Sequence, residues 1–150
     1  MNGGATRTAL LVLLLFGSVS AFAGAVMAIV FKGAGVPLEY LQGSPFGSFL
    51  VPGIILGVVV GGTQVVAAGS LMAHRRASMR WAAIAGFGMI IWVFVELAII
   101  LEYSFLQTIY FGLGTLELVF VFLMLEIAPG TGRTSNRDLP PDTGGRGAQV

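Results

Sequence analysis

The 150-residue chain has no cysteine, a single histidine and only 10% charged residues. Without cysteine there is no disulfide, no thiolate nucleophile and no Cys-ligated metal, and the redox compartment is left open. With His74 alone in HRRASMR, no pair of imidazoles can clamp a haem iron. HExxH, GxSxG and P-loop lysine motifs are all missing, so nothing points to an enzyme and no cofactor is expected. A formal net charge of +1 with no basic stripe argues against nucleic-acid binding. The scarcity of charge is the most informative absence. Soluble domains carry about 25% charged residues. Here 56% of residues are hydrophobic and the mean hydropathy is +0.91. The chain expects a lipid bilayer as its solvent.

Four apolar runs are long enough to cross one: about 8–31, 49–72, 81–101 and 106–127. Each offers roughly 20 residues or more, which at about 1.5 Å per residue spans a hydrocarbon core of about 30 Å. In lipid a helix satisfies its own backbone hydrogen bonds, so all four runs are expected to be helical. The fold class is therefore all-α, a polytopic membrane protein built as a four-helix transmembrane bundle in domain 1–127. The first run has a rival reading as a signal peptide, with Arg7, ALLVLLLFG and an A-x-A site at Ala21-Phe22-Ala23. Its continuation through GAVMAIVF exceeds a usual h-region of about 7–15 residues, which argues for a retained helix.

Orientation follows from the basic residues. Arg7, the loop with Arg75, Arg76 and Arg80, and the tail with Arg133, Arg137 and Arg146 stand against a lone Lys32 on the other side. The positive-inside rule puts both termini in the cytoplasm. Residues 128–150, rich in Pro, Gly and polar side chains, read as a disordered cytoplasmic tail. In the first outer loop Pro37 is placed to open a short helix through Gln42; the loop either caps the outer mouth of the bundle or, as favoured, is an ordinary interfacial connection.

Small residues mark the contact faces. Gly53, Gly57 and Gly61 recur every four residues on the second helix and continue through Gln64 and Ala68. Such a stripe lets backbones approach closely in lipid, and it suits an intramolecular helix pair as well as a homo-oligomer seam. The third and fourth helices are joined by a short link and form an antiparallel hairpin. Counting from a turn near Ser104 sets Glu96 level with about Gly112, with glycines making room for Glu96 and Trp92.

Depth decides which acids matter. Glu102 and Glu126 lie at the boundaries, whereas Glu96 sits roughly 8 Å inside and Glu117 lies near the midplane, at about 1.5 Å per residue. A charged acid at mid-membrane costs on the order of 2.5–3.5 kcal/mol and usually faces the bundle interior with a partner. No lysine, arginine or histidine lies at that depth. Three options remain open for Glu96 and Glu117. They are protonated because desolvation disfavours the charged form, or they line a water-filled cavity, or they bind an external cation. A neutral carboxyl can also bond across helices, to Gln64 or Thr115. Trp92, one turn from Glu96, offers an indole N–H and an aromatic face for a cation.

The segments SPFGSFLVPG, GGTQVVAA, WVFVELAII and SFLQTIYFGLGTLEL resemble those of a set of small four-helix bacterial membrane proteins with no assigned activity. The resemblance spans the four helices and implies a bacterial inner-membrane location and a fold, but no mechanism. Two functions are expected from the residues. The first is an accessory or interaction subunit, a homo-oligomer or part of a larger membrane assembly, whose polar residues fix helix contacts. The second is a proton- or cation-linked transporter or channel using Glu96 and Glu117, with Gln64 as a polar relay and Trp92 beside it.

Overall fold

The computed structural model describes residues 3–33, 35–100 and 103–127. Glu102 and the tail expected at 128–150 lie outside the described residues. The protein is an all-α four-helix transmembrane bundle. Helix α1 covers Gly3–Val30, α2 Leu50–Met72, α3 Ser78–Ile100 and α4 Phe105–Ile127. All four are long and apolar enough to cross a membrane. The first and third helices begin earlier than the apolar runs suggested, because the helix continues back through Gly3 to Arg7 and through Ser78 to Arg80.

Lipid gives no hydrophobic drive for helices to associate, so close packing must hold this bundle together. The glycine stripe supplies it between α1 and α2. A methyl on Gly53 would stand 2.8 Å from Ile29 and 2.9 Å from the Ala28 Cβ, and on Gly57 it would stand 3.0 Å from the Ala25 Cβ. Gly61 lies under the Phe22 ring. The seam is thus filled from within the chain and lends no support to a homo-oligomer. In a straight α-helix a four-residue stripe drifts by about 40° per step, since 3.6 residues make a turn. Residues Leu56–Gly61 form a wider π-helical stretch, which takes up that drift and keeps the stripe on α1.

The ends are capped by local chemistry. At the end of α1, Lys32 takes a left-handed φ of 49° and the Gly33 N–H returns to the Ala28 carbonyl. Gly33 itself has a φ of 94°, and its missing side chain leaves room for the buried Phe49 ring. At the end of α2, His74 has a φ of 52°, its N–H reaches the Leu71 carbonyl, and the Arg75 N–H reaches Ser70. Both ends are Schellman closures with a non-glycine residue in the left-handed position. Ser104 starts α4 through a capping box: the Leu106 N–H donates to its hydroxyl at 3.3 Å, and its own N–H donates to Gln107 Oε1 at 2.8 Å.

The α3–α4 hairpin differs in register from the expected count. Gly86 packs on Gly114 and Leu118, Ile90 lies against Gly114, and Phe94 meets Phe111 edge-on at 6.1 Å. This sets Glu96 about one turn nearer the loop than Gly112. The reason is that α4 starts at Phe105, so the hairpin's midpoint falls earlier than Ser104. Gly112 makes no room for Glu96; nothing lies within 4 Å of its missing side chain.

Candidate functional site

The interior is layered from the end of the bundle that holds Arg7 to the opposite end, which the charge distribution marks as the expected outer one. Arg7 on α1 and His74 after α2 are hydrogen-bonded, and the same guanidinium donates to the Leu71 carbonyl at 2.7 Å. A cation there also meets the negative end of the α2 dipole. Above this tie lies a closed apolar layer of Leu10, Leu14, Ala67, Ala68, Leu71, Ala82, Ala85 and Val121. One turn higher comes a polar layer. Gln64 on α2 donates from Nε2 to Glu117 Oε2 on α4 at 3.0 Å, and both side chains are 0% exposed.

Gly17 on α1 completes this layer. A methyl there would stand 3.0 Å from Gln64 Cδ and 3.1 Å from Nε2, so the glycine provides the space the amide occupies. Each partner keeps one buried oxygen without a hydrogen bond, Gln64 Oε1 and Glu117 Oε1. One turn further out, Ala21, Val60, Met89 and Leu113 form a second buried apolar layer. The polar pair is therefore enclosed above and below.

Beyond that second layer the helices splay around a cavity of about 540 Å³. Glu96 and Trp92 of α3, Gln107 and Tyr110 of α4, and Tyr40 of the outer loop all line it. The outer loop is more than a connection. Pro37 precedes a 3-10 turn at Leu38–Leu41, Leu41 is buried, and Val36 and Tyr40 face the cavity. Trp92 and Glu96 share this wall without a hydrogen bond between them. Thr115, the other partner considered for a carboxyl, donates instead to the Phe111 carbonyl at 2.8 Å.

The expected residues thus fall into separate places. Gln64 and Glu117 meet, Trp92 and Glu96 line the outer cavity, and Gly53, Gly57 and Gly61 face α1. Glu96 and Glu117 do not form one site, because the layer with Met89 and Leu113 stands between them. Sequence reasoning passed over Gln107 and the Arg7–His74 contact. Of these only Gln107 carried a local signal, the Ser104-x-x-Gln107 spacing of a capping box.

No family model, no curated protein and no solved structure matches the chain. What the fold itself defines is a polytopic four-helix membrane protein whose helix packing is stabilised by Gln64–Glu117, Tyr103–Thr108 and Arg7–His74 contacts.

Proposed function

We propose that the protein is a non-enzymatic accessory subunit of a larger membrane assembly, a rigid four-helix unit whose polar residues serve packing. One observation carries this reading: the Glu117 carboxyl is enclosed between two apolar layers and held by Gln64. A carboxyl on an ion path needs access from one side at a time, and a side chain tied and enclosed in this way acts as a join between α2 and α4. The separation of Glu96 from Glu117 weighs against a transporter that uses the two together. The distribution of Arg7, Arg75, Arg76 and Arg80 against Lys32 supports cytoplasmic termini, and we assign the protein to a bacterial cytoplasmic membrane on its composition and resemblance.

The test combines two measurements on the full chain. Purified protein in liposomes should pass no current or proton flux under imposed ion gradients. In membranes solubilised gently, it should migrate in a complex well above its 15.7 kDa, and Gln64→Met should weaken that complex. A monomeric protein that conducts protons, and stops doing so when Glu117 becomes Gln, would overturn the reading.

A further inference from the structure

The outer cavity has a chemistry that the buried tie does not use. Its floor is the closed layer of Ala21, Val60, Met89 and Leu113, and its walls come from three helices, α2 through Leu56 and the outer loop. Its volume of about 540 Å³ falls inside the range of small-molecule sites, roughly 300–1,000 Å³. Among the described residues Glu96 is the one acid on the wall, and no basic side chain lines it. Among the described residues nothing donates a hydrogen bond to the Glu96 carboxyl. Trp92 lies one turn away on the same helix, and Tyr110 and Tyr40 enter from α4 and the loop.

A carboxyl beside aromatic faces attracts a cation by two routes, direct Coulomb attraction and the ring quadrupoles, and both strengthen where water is scarce. A hard divalent ion fits poorly, since calcium and magnesium require six or so oxygen ligands and the wall offers one carboxylate. A weakly hydrated organic ammonium fits better, because most of the remaining wall, Met27 and Leu56 included, is apolar or aromatic, and Ser20, Ser104 and Gln107 add only neutral polar groups. We propose that this cavity binds an alkylammonium ion, its nitrogen held by Glu96 and Trp92 and its chain lying against Met27 and Leu56. The ammonium belongs either to a free amphiphile or to the headgroup of a membrane lipid. The proposal rests on the outer cavity alone and stands apart from the packing role of Gln64 and Glu117.

Fluorescence reads the site directly, because the chain has two tryptophans and Trp81→Phe leaves Trp92 as the reporter. The full-length Trp81→Phe protein in non-ionic micelles is titrated with hexyltrimethylammonium. Saturable change in Trp92 emission is expected, with affinity reduced about tenfold or more by Glu96→Gln, as for loss of a charged partner. Glu126→Gln, which removes an exposed acid at the far end of α4, should leave it unchanged. Thermal unfolding midpoints establish that the variants are folded, and Glu96→Met serves if the Gln variant is not. Adding a phosphatidylethanolamine should displace the probe if the natural ligand is a lipid headgroup, whereas a free amphiphile as ligand leaves the probe in place. Equal binding by folded Glu96→Gln or Glu96→Met, equal binding of hexyl sulfate, or no saturable change would overturn the proposal.

Discussion

Replacing Gln64 and Glu117 by methionine, singly and together, tests the buried tie most directly. Methionine keeps the length and volume of both side chains, so the substitution removes polarity with little change in packing. In Gln64→Met the Glu117 carboxyl loses its one donor while remaining 0% exposed. A buried polar group left unpaired costs about 1–3 kcal/mol. Glu117→Met leaves the Gln64 amide unpaired in the same way and should cost a similar amount. The double variant has neither orphan, and replacing both members of a buried pair by apolar groups of like shape is nearly neutral. The single costs sum to about 2–6 kcal/mol, so the double variant should be more stable than that sum predicts by about 2 kcal/mol or more, at or above the largest couplings measured between membrane helices. Unfolding in mixed micelles by increasing sodium dodecyl sulfate, followed by circular dichroism, measures each corner of the cycle. Single effects that simply add within about 0.5 kcal/mol would mean that Gln64 and Glu117 do not hold each other, and the account of the polar layer would fail.

Three further outcomes follow from the same packing. Gly53→Ala should destabilise by about 1–3 kcal/mol, because its methyl meets Ile29, Ala28 and the Ala25 carbonyl at 2.8, 2.9 and 3.3 Å; Gly112→Ala, facing open space, should fall within about 0.5 kcal/mol of the parent. A thermal-stability assay in detergent that ranks the two the other way would contradict the α1–α2 seam. His74→Gly should be more stable than His74→Ala by about 1 kcal/mol, since both lose the Arg7 contact but only glycine relieves the left-handed backbone; equal unfolding midpoints would refute this. The native chain has no cysteine, so Ala77→Cys and Gln42→Cys can be labelled with an impermeant maleimide on intact cells. Only the Gln42 position should react, and labelling of Ala77→Cys alone would invert the orientation.

The sequence by itself determined the number of helices, because a bilayer leaves a backbone little choice. Runs of about twenty apolar residues satisfy their backbone in lipid as helices, and four such runs in one short chain pack as a bundle. It also marked Gln64 and Glu117 as anomalous, since polar groups so deep in apolar runs need partners. That the two are each other's partner was decided only by tertiary structure. They lie 53 residues apart on different helices, and their meeting depends on how α1 packs with Gly17 beneath the amide. The glycine stripe was legible as a contact face, but its occupant was not, because an internal helix and a second copy present the same apolar surface to it. The hairpin register slipped by about a turn because a short link does not reveal where helix geometry resumes. That Glu96 lines a cavity was one of three options open in the sequence, but the cavity's place and walls were not legible there, for it exists where the helices splay and a loop folds over the gap. Local periodicity records which face a residue occupies; only packing decides what that face meets.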